Sequence, residues 1–211
     1  MTQKPAKPGD IYYLHHLQKP SFEPLARRVV FLIQKYPRSK SLGVFYVLFI
    51  VGSAVFARPQ PHAFITPEER LELENMGLGF FSSYSQHLPC HMMESKVLTK
   101  MVAIDYTYTE NTLDAVQSSD IDVLECSVQP GENYGTDLNY ADILRYSDIV
   151  TKSGKPCLIP TQRKIKPCEV RHLYEAGCKA VMIGAIVMGK EPDAKQLQAV
   201  TAAFREAIDA L

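Results

Sequence analysis

Two short apolar runs in the middle of the chain each carry a carboxylate near the carboxyl end, Asp105 in KMVAIDYT (100–107) and Glu125 in IDVLECSV (121–128). Side chains alternate across a strand. If Val102, Ile104, Leu124 and Cys126 face covering helices, then Met101, Ala103, Asp105 and Thr107, with Val123, Glu125 and Ser127, face the opposite side. Two carboxylates on one face at neighbouring strand ends suit proton transfer: one takes a proton from carbon or oxygen, the other returns it, and burial separates their pKa values. Asp105 and Glu125 are therefore the candidate acid/base pair. Each also has a plainer use, as a loop cap or the partner of a cation.

A second group of polar residues follows the next two apolar runs. Thr161-Gln162-Arg163-Lys164 comes after Cys157–Pro160, and Gly184-Ala185 comes after Ala180–Ile183. A glycine where a strand releases into a helix leaves backbone N–H groups and the positive helix end facing outward, which is a seat for phosphate. Gln162, Arg163 and Lys164 add side-chain donors and charge, although a solvated charged turn would carry the same residues. Other candidates are weaker. His15 and His16, with Lys19, would end a first strand over Ile11–Leu17, where a histidine titrates near neutral pH, and Arg58 is a lone cation that would meet an anion. His87, Cys90 and His91 are metal-ligand types, but no second cluster completes a four-ligand set, so no metal is expected.

The stretch 155–189 reads as strand, loop, helix, strand, loop, helix, and a helical crossover between two short buried runs implies parallel neighbours. Within it, Gly177-Cys178-Lys179-Ala180-Val181-Met182-Ile183-Gly184-Ala185-Ile186-Val187 resembles the closing segment of the phosphate-binding TIM barrels. That broad group, like the ribulose-phosphate-binding barrels, includes phosphosugar epimerases, indole-glycerol-phosphate synthase and thiazole synthase. The resemblance implies a parallel (βα)8 TIM-like barrel with phosphate held near Gly184 and Ala185, and it implies no particular reaction. Many such barrels have a glycine in the loop that is Thr161–Lys164 here. This chain has none, so Gln162, Arg163 and Lys164 would do with side chains what backbone does there.

The rest of the chain supplies the elements. Residues 1–10 are polar and proline-rich and read as a flexible arm, with 11–211 as one barrel-like domain, just long enough for eight units. Apolar spacing predicts a helix over Phe22–Tyr36, and the apolar block 42–57 a buried helix-to-strand or long strand. Thr66-Pro67-Glu68-Glu69 is a capping box with proline at the first helical position. Beyond it come strands at 78–82, 100–105 and 121–128, helices at 109–117 and about 138–152, and an amphipathic helix over 193–211. The long loop SSYSQHLPCHMMESK (82–96) is of the kind that serves a site. The first third gives the weakest pattern, so the barrel is expected to be irregular or incomplete there.

Composition narrows the function. Lysine plus arginine equals aspartate plus glutamate at 23 each, which gives no net field for nucleic acid. Five cysteines, an odd number with no C-x-x-C pair, point to reduced thiols and a cytoplasmic protein. The apolar block is shorter than the roughly 20 residues of a bilayer span, so membrane association ranks low. No D-x-K-x-x-D run, no inward lysine near a strand end, and no G-x-G-x-x-G or Walker sequence is present. The leading expectation is an enzyme acting without a cofactor on a small phosphorylated metabolite, as isomerase, epimerase or carbon–carbon lyase. Two alternatives are an oxidoreductase holding flavin mononucleotide in the same seat, and a non-catalytic barrel whose 42–57 segment meets a partner or membrane. A homo-oligomer is left open.

Overall fold

The structure, a computed structural model, describes residues 30–33, 46–51, 65–75, 80–189 and 192–211. Among the described residues seven strands form one sheet: β1 (Val30–Ile33), β2 (Tyr46–Val51), β3 (Phe80–Tyr84), β4 (Thr99–Ile104), β5 (Val123–Cys126), β6 (Cys157–Pro160) and β7 (Ala180–Ile183), in the spatial order β1-β2-β7-β6-β5-β4-β3. Strands β3 to β7 are consecutive and parallel, and β2 joins β7 in parallel. An early strand thus lies beside a late one, as the first and last strands of a parallel barrel do, and β1 and β3 are the two ends of the strand order among the described residues. The irregularity is β1, which pairs with β2 antiparallel.

Local signals explain most of the elements. Helix α1 (Pro67–Asn75) begins at the expected box, with the Glu69 amide donating to Thr66 Oγ1 at 3.2 Å and the Thr66 amide to Glu69 Oε2 at 2.8 Å. Reciprocal boxes at Thr109 and Asn139 start α2 (Glu110–Gln117) and α3 (Tyr140–Ser153). Gly154, at φ +60°, ends α3 with the left-handed residue that helices favour there. The short α4 (Val170–Glu175) and α5 (Ala185–Met188) flank β7, and α6 (Ala194–Asp209) closes the chain.

Two apolar layers sit on opposite faces of the sheet. Ile104, Leu124, Cys126, Cys157, Ile159, Val181 and Ile183 pack under the helices with Leu113, Tyr146, Ile149 and Phe204. Met101, Leu158, Ala180 and Met182 form the inner layer, with Phe80 and Val123 against it. The expected alternation therefore holds within the strands, Met101 against Ile104 and Val123 against Leu124 and Cys126, while Asp105 and Thr107 lie beyond the end of β4. Cys126, Cys157 and Cys178 lie buried as free thiols, and burial raises Cys178 to about 12.

One expected element is overturned among the described residues. Val30–Ile33 lies inside the stretch read as a helix over Phe22–Tyr36, but it is strand. Its apolar residues recur at helical spacing, yet the core of the run, Val-Val-Phe-Leu-Ile, is β-branched and aromatic, and pairing with β2 decides it. In the apolar block, Tyr46–Val51 is strand, as a long-strand reading requires. The arm 1–10, the strand proposed at Ile11–Leu17, and His15, His16, Lys19 and Arg58 lie outside the described residues. Among the described residues no helix is long and apolar enough to cross a membrane.

Candidate active site

The carboxyl ends of β3 to β7 gather the site. Registers align Tyr84 with Ala103, Ala103 with Glu125, Glu125 with Leu158, and Leu158 with Ala180, one row across the inner face. Glu125 thus lies among apolar neighbours and is 8% exposed. Its carboxylate accepts from Ser82 Oγ on β3 at 2.5 Å and from Ser127 Oγ at 2.7 Å. Among the described residues no cation offsets its charge. Burial therefore pushes its pKa above the ordinary carboxylate range, and the two serines only partly counter this.

Asp105 stands at the end of β4, nearer to solvent, with both oxygens engaged. Oδ1 accepts from the Thr107 amide at 2.8 Å and from its hydroxyl at 2.6 Å, while Oδ2 accepts from Gln86 Nε2 at 3.2 Å. The Thr107 hydroxyl, its amide and Gln86 hold Asp105 below the usual range. This is the arrangement of a loop cap. The two carboxylates are thus driven in opposite directions, one by burial and the other by hydrogen bonds.

Gln162, Arg163 and Lys164 follow β6 and take three different environments. Gln162 is buried, its Oε1 accepting from the Gln129 amide at 3.1 Å and its Nε2 donating to the Tyr134 hydroxyl at 2.6 Å. Arg163 turns inward to Asp142 on α3: Nη2 donates to Oδ1 at 3.1 Å, and Nε lies 2.9 Å from Oδ2 but off-line for a hydrogen bond. Its Nη1 donates to Thr136. Gln129 Nε2 also donates to Asp142 at 2.8 Å, so the pair ties the loops after β5 and β6 to the start of α3. Lys164 is exposed, with its amide bonded to the Thr136 carbonyl at 2.8 Å. Of the three, Lys164 has a charge directed to solvent, and Arg163 has its charge spent.

Gly184 precedes α5 in extended backbone, φ −115° and ψ −168°, which any residue adopts. A Cβ there would come no nearer than 3.7 Å to Thr161 Oγ1. Neither conformation nor packing demands glycine, and the open approach suits a group from outside. Its amide donates to Thr161 Oγ1 at 2.8 Å. Ala185 and Ile186 are exposed and open the helix, where N–H groups have no preceding turn to bond. The loop after β5 comes close, since a Cβ on Gly135 would lie 3.8 Å from Ile186 Cδ1.

Sequence reasoning did not single out Ser82, Tyr84 and Tyr134. The signal for the first two was the alternation in FFSSY: Phe81 joins a cluster with Leu73 and Met92 on the outer side, so Phe80, Ser82 and Tyr84 share the inner face. His87 and Cys90 are exposed and His91 is half-buried. Among the described residues no group of three His, Cys, Asp or Glu is placed to hold a metal.

No protein-family model matches the sequence, and no curated protein does. Solved structures do match. A structure described as native KDPGal aligns at 12% identity over 70% of this chain and 66% of its own, with a TM-score of 0.51. Tryptophan synthase from M. tuberculosis aligns at 10% identity over 67% of this chain and 55% of its own, also at 0.51. The fold is a TIM-like barrel. This chain spans a little under two thirds of the first barrel's length and about half of the second's. Phosphoribosyl anthranilate isomerase from Thermus thermophilus aligns at 16% identity over 71% and 70% with a TM-score of 0.47, and the assignment does not rest on it. At these identities the likeness speaks for the barrel, and the chemistry must come from the side chains.

Proposed function

We propose that the protein is an enzyme that moves a proton on a small phosphorylated metabolite, as an isomerase, an epimerase or a carbon–carbon lyase. The observation that carries this reading is Glu125, a buried carboxyl on the inner face at the strand ends, held by two hydroxyls and facing no described cation. A carboxyl whose pKa is raised by burial is a stronger base than an exposed one and can both accept and return a proton. Structural carboxylates of similar burial usually have a cationic partner, as Asp142 has in Arg163.

The phosphate would rest on the amides that open α5, with Gly184 allowing close approach and Ala185 at the first turn. Lys164 supplies the charge. Gln162 and Arg163 shape the cup from behind through Tyr134, Asp142 and Thr136, and Asp105 fixes the rim of the β4 loop. The reading needs no cofactor. Glu125→Gln should lower turnover by about 10²–10⁴-fold while the circular dichroism spectrum stays the same, and a thermal-shift screen with inorganic phosphate and phosphorylated sugars identifies the substrate class by mass action. Turnover retained in Glu125→Gln would remove the mechanism.

A further inference from the structure

We infer that Ser82 is a positioning residue for Glu125: its hydroxyl, reaching from β3 across β4, fixes the orientation of the carboxyl and favours its ionised form. This rests on the reading of Glu125 as the proton-transferring group given above. The registers show how the contact is made. Ser82 pairs with Met101 and Met101 with Val123, so Ser82 lies in the row two residues before that of Glu125 and two strands, roughly 9–10 Å, away. Its Oγ nevertheless donates to Glu125 Oε2 at 2.5 Å. The Glu125 side chain therefore leans over β4 toward β3 and back toward the amino ends of the strands.

A second hydroxyl holds the other oxygen from a different direction. Ser127 lies just past the end of β5, where its amide donates to the Glu125 carbonyl at 3.1 Å and its hydroxyl to Oε1 at 2.7 Å. That bond is local and moves with Glu125's own strand. The Ser82 bond comes from 43 residues earlier in the chain and ties the carboxyl to the rest of the sheet. With one donor on each oxygen, from two strands, the plane of the carboxyl is set. A base whose direction is fixed before substrate arrives does not have to be ordered during the reaction.

The surroundings leave this work to Ser82. Met101 and Val123, which share its row, are apolar and offer no hydrogen bond. Among the described residues the titratable groups beside Glu125 are Tyr84, in its own row, and Cys126, on the opposite face of β5. Burial keeps both neutral at ordinary pH. A carboxylate is stabilised by each hydrogen bond it accepts, so loss of the Ser82 hydroxyl makes Glu125 harder to ionise.

Carbon-13 NMR of the protein carrying glutamate labelled at the side-chain carboxyl carbon tests the inference, with the Glu125 signal assigned by its loss in Glu125→Gln. In the native protein that signal should titrate above the ordinary glutamate range. In Ser82→Ala its midpoint should move to still higher pH, and Ser82→Thr, which restores a hydroxyl, should return it toward the native value. An unchanged or lower midpoint in Ser82→Ala, or a Ser82→Thr protein that behaves as Ser82→Ala does, overturns the role of Ser82 while the reading of Glu125 stands. A native Glu125 that titrates like an exposed glutamate overturns that reading and this inference together. If Ser82→Ala does not fold, Ser82→Cys, which keeps the shape and donates only weakly, decides in the same way.

Discussion

Glu125 shows how a residue acquires chemistry from its row. Leu158 on one side and Ala103 on the other remove water, and two serine hydroxyls satisfy the oxygens without neutralising the charge. Because burial raises its folded pKa above its unfolded one, the folded state binds the extra proton. The stabilisation is complete below the unfolded pKa and is lost as pH rises through the folded pKa. Glu125→Gln should therefore melt higher than the native protein at pH 8, with the gap closing toward pH 4, while turnover falls by about 10²–10⁴-fold. Melting curves across that range check the sign. Asp105 carries the opposite dependence, stability present at neutral pH and lost in acid, because its hydrogen bonds favour the ionised form. Inward parity at Glu125 was legible in the sequence, since it needs only period-two alternation within β5, whereas Asp105 lies past the end of β4, where that alternation no longer applies. That Asp105 has its oxygens filled was not legible, because Gln86 approaches from a different strand end.

Elements were legible where their signals are local. Thr66-Pro67-Glu68-Glu69, the run Cys157–Pro160 and the stop at Gly154 each state their structure within a few residues. Val30–Ile33 depends on a partner strand, and no window of sequence contains that partner. Gly177, between α4 and β7, is the most constrained joint: its φ is +90°, and a Cβ would lie 2.9 Å from Val150 Cγ1. Gly177→Ala combines a left-handed strain with a clash and should cost about 2–5 kcal/mol, read as a lower urea midpoint at unchanged slope. The loops rest on a different device. Asp142 and Arg163 are 2% and 8% exposed, and removing one partner leaves the other buried and charged. Asp142→Ala should destabilise by about 3–5 kcal/mol, and the same denaturation series measures it.

At the scale of the molecule, a parallel sheet brings every strand's carboxyl end to one rim, so residues far apart in sequence share one mouth. The barrel was legible from strand–helix alternation and from the run ending at Gly184, whereas the convergence of Ser82 and Ser127 on Glu125 depends on registers that only the folded sheet sets. Gly184 tests whether the rim holds phosphate as that run implies. Its backbone is ordinary and a Cβ would meet nothing closer than 3.7 Å, so Gly184→Ala should alter stability by no more than about 0.5 kcal/mol. On the proposed reading a methyl group would nevertheless stand where the anion approaches the amides. In the native protein, phosphate at 100 times its dissociation constant should add about 2.7 kcal/mol of stability, and in Gly184→Ala most of that gain should vanish at the same concentration. Thermal shifts of the two proteins, with and without phosphate, read both effects in one experiment. An unchanged phosphate shift in a stable Gly184→Ala would move the anion site elsewhere on the rim, toward Lys164 and the charged loop after β6.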